Sequence, residues 1–238
     1  MRISVCIASY NGEKYIKEQV DSIINQLTAS DEIIVSDDGS TDKTLEILEG
    51  YNDSRIKVFK NNGKHGYTHN FENALKQSSG DYIFFSDQDD VWLPNKVETI
   101  LPYLQNDNLV VGDAYITNND LEIQGRISEW RTYKKGYFRN LYKSVYMGCT
   151  NAFTKKIKEY CLPFPKNIVA HDNWIGLLCE LKFNVVYLQD PPLILYRRHQ
   201  SNASGAGSKS SKSFIFMLSY RAKLFIQTLR RALTRKKQ

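Results

Sequence analysis

The chain has 238 residues, 42% of them apolar and 24% charged, ordinary globular usage with room for one large core and no need of staples. Cys6, Cys149, Cys161 and Cys179 lie far apart and form no CxxC, which excludes a zinc knuckle or a dithiol redox motif and predicts free thiols in a reducing cytosol. The formal charge of +6 is uneven: nine Lys or Arg and no acid follow residue 208, while the body before it holds 23 basic and 26 acidic residues, so no basic folded face for nucleic acid is indicated.

The N-terminal sequence MRISVCIASYNG enters a strand pattern at once, without the pattern of a signal peptide, and no run approaches the roughly 18 apolar residues of a membrane span. RISVCIAS reads as a strand stopping at Tyr10-Asn11-Gly12. Tyr15, Ile16, Gln19, Val20, Ile23, Ile24 and Leu27 then fall at mostly helical spacing. DEIIVSD is a buried-type strand. STDKTLEILEGY reads as a helix with Ser40 or Thr41 as cap. RIKVFKN is a third strand, NFENALKQSSG a short helix closing on Gly80, and DYIFFS a fourth strand feeding straight into Asp87, Asp89 and Asp90. Strands alternating with helices predict an α/β fold with an open, mainly parallel sheet.

Beyond residue 110 the pattern is less regular. LVVGDAYITNN reads as one strand, residues 126–147 as an aperiodic stretch rich in Tyr, Arg and Lys, and VVYLQDPPLILYRRH as two short strands around Pro191 and Pro192. Residues 201–213 read as a flexible Ser/Gly linker. In residues 214–238, Phe214, Met217, Leu218, Arg221, Leu224, Phe225, Leu229 and Leu233 make a broad helical face opposite a basic one, as in an interfacial helix on anionic lipid. The alternative is a helix docked on its own domain or on a partner.

In open parallel sheets, ligands sit beyond the carboxyl ends of the strands. Three polar clusters fall there: ASYNG, SDDGSTD and SDQDD. Gly39 and Asp42 serve a turn and a helix start equally well. Asp37 and Asp38 are adjacent carboxylates without an evident basic partner, and they suit a pyrimidine N3–H or ribose hydroxyls. Asp87 and Asp89 flank Gln88 and, if the segment is extended, point to one side, which suits Mg²⁺ or Mn²⁺, whose shell substrate phosphate and water would complete. Asp90 reads as a helix N-cap.

Together, SVCIASYNGEKYIKEQVDSIINQ, IIVSDDGSTDKT and GDYIFFSDQDDVW resemble the family 2 inverting glycosyltransferases of the GT-A fold. The form SDQDDVW resembles the bacterial rhamnosyltransferase-like branch. The resemblance covers about residues 2–200 and implies one Rossmann-like GT-A domain over 1–200, with a nucleotide-sugar half at 1–110 and an acceptor half at 111–200. It implies single displacement with inversion from a nucleoside-diphosphate sugar (dTDP-rhamnose or a UDP-hexose) to a lipid-linked glycan of bacterial surface polysaccharide. The enzyme would be cytoplasmic, peripheral on the inner face of the membrane, and open to homodimer formation. Alternatives are a nucleotidyltransferase and a catalytically inactive sugar-nucleotide-binding module. Carried onto this chain, the donor site would comprise Ala8, Tyr10, Asn11, Asp37, Asp38, Asn70, Asp87, Gln88 and Arg197. Tyr10 would lie against the base and Asp38 would meet its N3–H or ribose. Asp87, Asp89 and His199 would hold Mn²⁺ or Mg²⁺, with Asp172 as the catalytic base. Gly148, Cys149 and Trp174 would line the acceptor pocket. One departure is that no arginine precedes Asn70 in GYTHNFENAL.

Overall fold

A computed structural model describes residues 1–199, 202 and 213–235. The expected linker at 201–213 lies outside these residues, apart from Asn202 and Ser213. The first half runs β1 (Ile3–Ser9), α1 (Ile16–Ile24), β2 (Glu32–Asp37), α2 (Thr44–Glu49), β3 (Ile56–Lys60), α3 (Tyr67–Gln77), β4 (Tyr82–Asp87), β5 (Val91–Trp92) and α4 (Lys96–Ile100). Then come β6 (Asn108–Gly112), β7 (Tyr115–Thr117), β8 (Ile123–Arg126), α5 (Ile127–Trp130), α6 (Tyr137–Tyr142), β9 (Asn151–Thr154), α7 (Lys155–Cys161), α8 (His171–Lys182), β10 (Asn184–Leu188), β11 (Ile194–Arg197) and α9 (Phe214–Thr234).

The strands form two separate sheets. Seven lie in the order β10-β6-β9-β4-β1-β2-β3, and four in the order β5-β11-β7-β8. This corrects the expected single GT-A domain with one mainly parallel sheet: the α/β fold is built from two sheets. The reason lies in pairings that local pattern does not encode. The chain leaves the large sheet after Asp87, and β5 pairs antiparallel with β11, a hundred residues further on. The run LVVGDAYITNN, expected as one strand, breaks at Asp113-Ala114 so that β6 and β7 enter different sheets. Buried Asp113 holds that corner, accepting from Ser128 N at 3.0 Å, Ser128 Oγ at 2.6 Å and Arg126 Nε at 3.1 Å.

Within the large sheet, β4, β1, β2 and β3 are mutually parallel, so their carboxyl ends open on one edge. β1 and β2 are buried along almost their whole length, which is why they read as near-continuous apolar runs. β3, at the edge, exposes Lys57 and Lys60, charges that discourage further pairing. The antiparallel β9 joins β4 to the parallel pair β6–β10. α1 buries Ile16, Gln19, Val20 and Ile23, one helical stripe, against this sheet. Apolar side chains from both sheets, Ile33 and Phe84 of one and Ile116 and Ile194 of the other, belong to a single core.

α9 docks on its own domain. Leu224, Thr228 and Ala232 are buried, and Tyr137 and Thr228 share a hydroxyl hydrogen bond at 2.5 Å. Arg231 donates to the carbonyls of Tyr160, Leu162 and Pro163 at 2.6–3.1 Å. The expected free apolar face is thereby corrected: Leu224 turns inward, with Met217, Arg221, Phe225 and Leu229 half-buried beside it. None of the described helices is long and apolar enough to cross a membrane.

Candidate active site

The parallel register sets Ser9 beside Asp37 and Ala8 beside Asp87, so the loops after β1, β2 and β4 converge. Hydrogen bonds lace the first two loops together. Asn11, at φ 48°, accepts from Thr41 N at 2.9 Å and donates its own N–H to Ser40 Oγ at 2.9 Å. Gly12 N donates to Thr44 Oγ1 at 2.8 Å. Gln88 ties in the third loop: its Oε1 accepts from Tyr10 N at 2.9 Å and its Nε2 donates to Tyr10 O at 3.0 Å. A Cβ on residue 12 would stand 2.4 Å from Gln88 Oε1, so a larger residue here would push the Gln88 side chain off Tyr10. Tyr10 itself remains 56% exposed over the edge.

The two adjacent aspartates after β2 divide in role. Asp37 accepts from Ser9 Oγ and Ser40 Oγ on one oxygen, and from the N–H groups of Gly39 and Ser40 on the other, so it anchors its own turn. Asp38 accepts from Asn61 Nδ2 at 2.7 Å and Gly66 N at 2.7 Å, with His65 Nδ1 at 3.1 Å. Its Oδ2, which takes only the Gly66 N–H, retains acceptor capacity. Asn70 donates to Ser9 O at 3.0 Å, while its buried Oδ1 has no hydrogen-bond partner.

After β4 the carboxylates gather. Asp87, Asp90 and Cys149 bring ligand atoms within 4.8 Å of one another, a group able to hold a metal ion. Asp90 is not the expected helix cap. It is 1% exposed, accepts from Arg197 N at 3.1 Å and keeps Oδ2 without a hydrogen-bond partner; α4 starts only at Lys96, with Asn95 at the N-cap position making no side-chain capping bond. Burial first, then the charges of Asp89 and Asp172, push the Asp87 carboxyl up to about 7. Burial, then the charges of Asp89 and Asp87, raise Asp90 well above the ordinary range. Asp89 lies toward the outside, accepting from His199 Nε2 at 2.8 Å and Asn202 Nδ2 at 3.3 Å. His199 stacks on Tyr15 at 4.6 Å. Behind the cluster, buried Lys96 donates to Cys149 O at 3.2 Å and lies 3.7 Å over the Trp92 ring. Clustered acids with an orphaned buried oxygen form a site short of positive charge, which fits a divalent cation.

Asp172 lies in the first turn of α8 and accepts from Asn173 N at 2.7 Å. Burial pushes its carboxyl up to about 6 against the lowering effect of that N–H and of Arg131. Its neighbour His171 is buried among Phe71, Phe85 and Tyr67. A Cβ on Gly148 would stand 2.6 Å from His171 Nε2, so Gly148 gives close approach between the loop before β9 and α8.

Several expected ligand contacts turn inward instead. Gln88 clamps Tyr10, and Asp37 holds its turn. Arg197, 5% exposed, donates to Asp89 O at 3.0 Å, to Asn119 O at 2.5 Å and to Glu18 Oε2; it braces the two sheets rather than reaching the opening. Trp174 is core, 1% exposed, with its indole N–H donating to Cys161 O at 3.0 Å. Cys149 is 1% exposed and lies against the acidic cluster. The signal for Asp90 was its direct continuation of Asp87 and Asp89; the neighbour Lys96 carries no local signal at all.

The pattern of Glycosyl transferase family 2 matches residues 4–158, spanning the three converging loops and the acidic cluster. The chain belongs to this family. This glycosyltransferase is 30% identical over 217 residues to UDP-Glc:alpha-D-GlcNAc-diphosphoundecaprenol beta-1,3-glucosyltransferase WfgD of Escherichia coli, covering 88% of this chain and 82% of that one. It is 30% identical to dTDP-rhamnosyl transferase RfbG of Shigella flexneri, covering 84% and 74%. A glucosyltransferase and a rhamnosyltransferase thus both match at 30% identity, so the comparisons do not single out the expected rhamnosyltransferase-like branch. Similar solved structures are S. aureus TarS 1-349 with UDP-GlcNAc, at TM-score 0.66, 19% identity and coverage of 98% and 73%, and the mannosyltransferase PcManGT of Pyrobaculum calidifontis with GDP-Man and Mn²⁺, at 0.61, 17%, and 99% and 65%. At that identity they speak for the fold alone.

Proposed function

We propose that this glycosyltransferase moves a sugar, with inversion, from a pyrimidine nucleoside-diphosphate sugar to a lipid-linked glycan acceptor of bacterial surface polysaccharide. The observation that carries the reading is the meeting of two groups of acids: Asp87 and Asp89 at the end of β4, and Asp172 at the start of α8, close enough for the Asp172 charge to act on Asp87. The names of the E. coli and S. flexneri relatives, one UDP-dependent and one dTDP-dependent, agree with a base carrying N3–H.

In this reading Asp38 accepts from the base N3–H or the ribose, while Tyr10 covers the base. Asp87, with Asp89 and His199 on the outer side, holds a divalent cation, Mn²⁺ or Mg²⁺. Asp90 and the neutral Cys149 thiol, both buried, support Asp87 from behind; burial and the neighbouring aspartates raise that thiol, making it a poor partner for a hard cation. The ion would neutralise charge on the departing diphosphate. Asp172 takes the proton of the attacking acceptor hydroxyl, a group too weakly acidic to react unaided. The enzyme would work at the cytoplasmic face of the membrane, where a lipid-linked acceptor is presented.

Thermal shift with UDP, dTDP and GDP, each with Mn²⁺ or with chelator, tests the donor. UDP or dTDP raises the melting temperature only with metal, Asp38→Ala and Asp87→Asn lose the rise, and Asp172→Asn keeps it while abolishing turnover. If no nucleoside diphosphate shifts the protein with metal present, the donor assignment falls.

A further inference from the structure

Docking leaves α9 with a second apolar face. With Leu224, Thr228 and Ala232 turned inward, Ile215, Leu218, Ile226 and Leu233 fall on the outer side, and Ile215, Ile226 and Leu233 are 80%, 63% and 84% exposed. The neighbouring α6 extends this face. Phe138, whose ring centroid lies 6.3 Å from that of Phe225 on α9, is 74% exposed. Tyr142, stacked 4.6 Å under Arg221, is 71% exposed. Aromatic and aliphatic side chains projecting this far gain nothing from the fold and are costly in water.

The charges around this face have one sign. Residues 131–144 hold five Lys or Arg and no acid, and α9 holds none either. Lys134, Lys135, Arg139 and Lys143 are exposed beside Phe138 and Tyr142, and Lys223 and Arg230 beside Ile226. Such a surface repels a second copy of itself across a symmetric contact. It matches a surface that is negative outside and apolar beneath, where aromatic side chains lodge at the boundary and Lys and Arg meet headgroups.

We infer that the outer face of α6 and α9 is a docking surface for an anionic lipid bilayer, with Phe138, Ile215, Ile226 and Leu233 entering the headgroup boundary. It differs from the lipid face that the helical pattern alone suggests, because Leu224 is on the protein side and half of the new face comes from α6. The same helix reaches the acceptor side of the site: Asn173, next to Asp172, donates to Tyr220 OH at 2.8 Å. A bilayer seated on α6 and α9 therefore lies beside the candidate base, where a lipid-linked acceptor has to arrive. Only that last link rests on the proposed function; the docking surface does not.

Co-sedimentation of the full chain with vesicles tests it. The protein pellets with phosphatidylcholine vesicles containing phosphatidylglycerol, hardly with phosphatidylcholine alone, and less as salt rises. Lys223→Gln with Arg230→Gln lowers the partition coefficient about thirtyfold, and Ile226→Glu or Phe138→Glu about tenfold or more, with unchanged melting temperature and unchanged response to nucleoside diphosphate. Failure to pellet with anionic vesicles, equal pelleting with neutral ones, or full binding by both Glu variants overturns the inference. So does a dimer that Ile226→Glu abolishes in a protein that ignores vesicles. A missing nucleoside-diphosphate shift with vesicle binding intact would sink the donor assignment alone.

Discussion

At the scale of single residues, Asp172 connects burial to rate. Its carboxyl, raised from 3.8 to about 6 by burial, works as a base only when ionised, so turnover should climb through about pH 6 and level off above it, read from a pH–rate profile. A carboxyl whose folded pKa exceeds its unfolded one favours folding only while protonated, so its contribution falls as pH rises from 3.8 toward 6. Asp172→Asn should accordingly raise the melting temperature at pH 7.5 by about 3 °C while removing turnover. Asp90 offers a second test. Asp90→Asn relieves like-charge repulsion in the cluster, and if the buried acid supports the cation through Asp87, the Mn²⁺ concentration giving half the thermal shift should rise about tenfold. An unchanged Mn²⁺ response would assign Asp90 to bracing Arg197 alone.

At the scale of elements, the amino-terminal edge of the large sheet is held by one acid. Glu32 on β2 accepts from Arg2 and Lys57 at 2.8 Å each, from Ser4 Oγ at 2.7 Å, and from Ser79 N and Oγ at 2.7 and 2.8 Å. Burial alone would raise its carboxyl, yet these donors hold it down at about 2. Because its folded pKa is depressed, its contribution is complete above 4.5 and lost as pH falls toward 2. Glu32→Ala should cost about 3 kcal/mol at neutral pH in urea unfolding, a difference that shrinks in acid. Gly148 is the corresponding point between β9 and α8. Gly148→Ala forces a Cβ against a His171 ring already packed between phenylalanines, and should cost about 1–3 kcal/mol and displace Asp172, read as lost turnover with the donor-induced shift retained.

At the scale of the whole molecule, α9 closes the core as well as offering a surface. Arg231 satisfies three carbonyls and lies 5.2 Å from the Trp174 ring, so Arg231→Ala should lower stability by about 2 kcal/mol, whereas Arg230→Ala, on the exposed side, should leave it unchanged within about 0.5 kcal/mol. Much of the first hundred residues was legible beforehand, because β1, α1, β2, β3 and β4 declare themselves by local periodicity, and acids placed directly after a parallel strand can only stand at its carboxyl end. Pattern by itself therefore determined the alternating α/β half, the three converging loops, family membership through their motifs, and the basic helical tail. Tertiary structure alone decided that there are two sheets, that Asp90 faces into the cluster, that Gln88 and Arg197 brace the protein, and which side of α9 meets solvent. Each of these depends on a partner far along the chain, Cys149 for Asp90, Tyr10 for Gln88, Glu18 for Arg197 and Tyr137 for Thr228, and no local period records a contact between residues tens of positions apart.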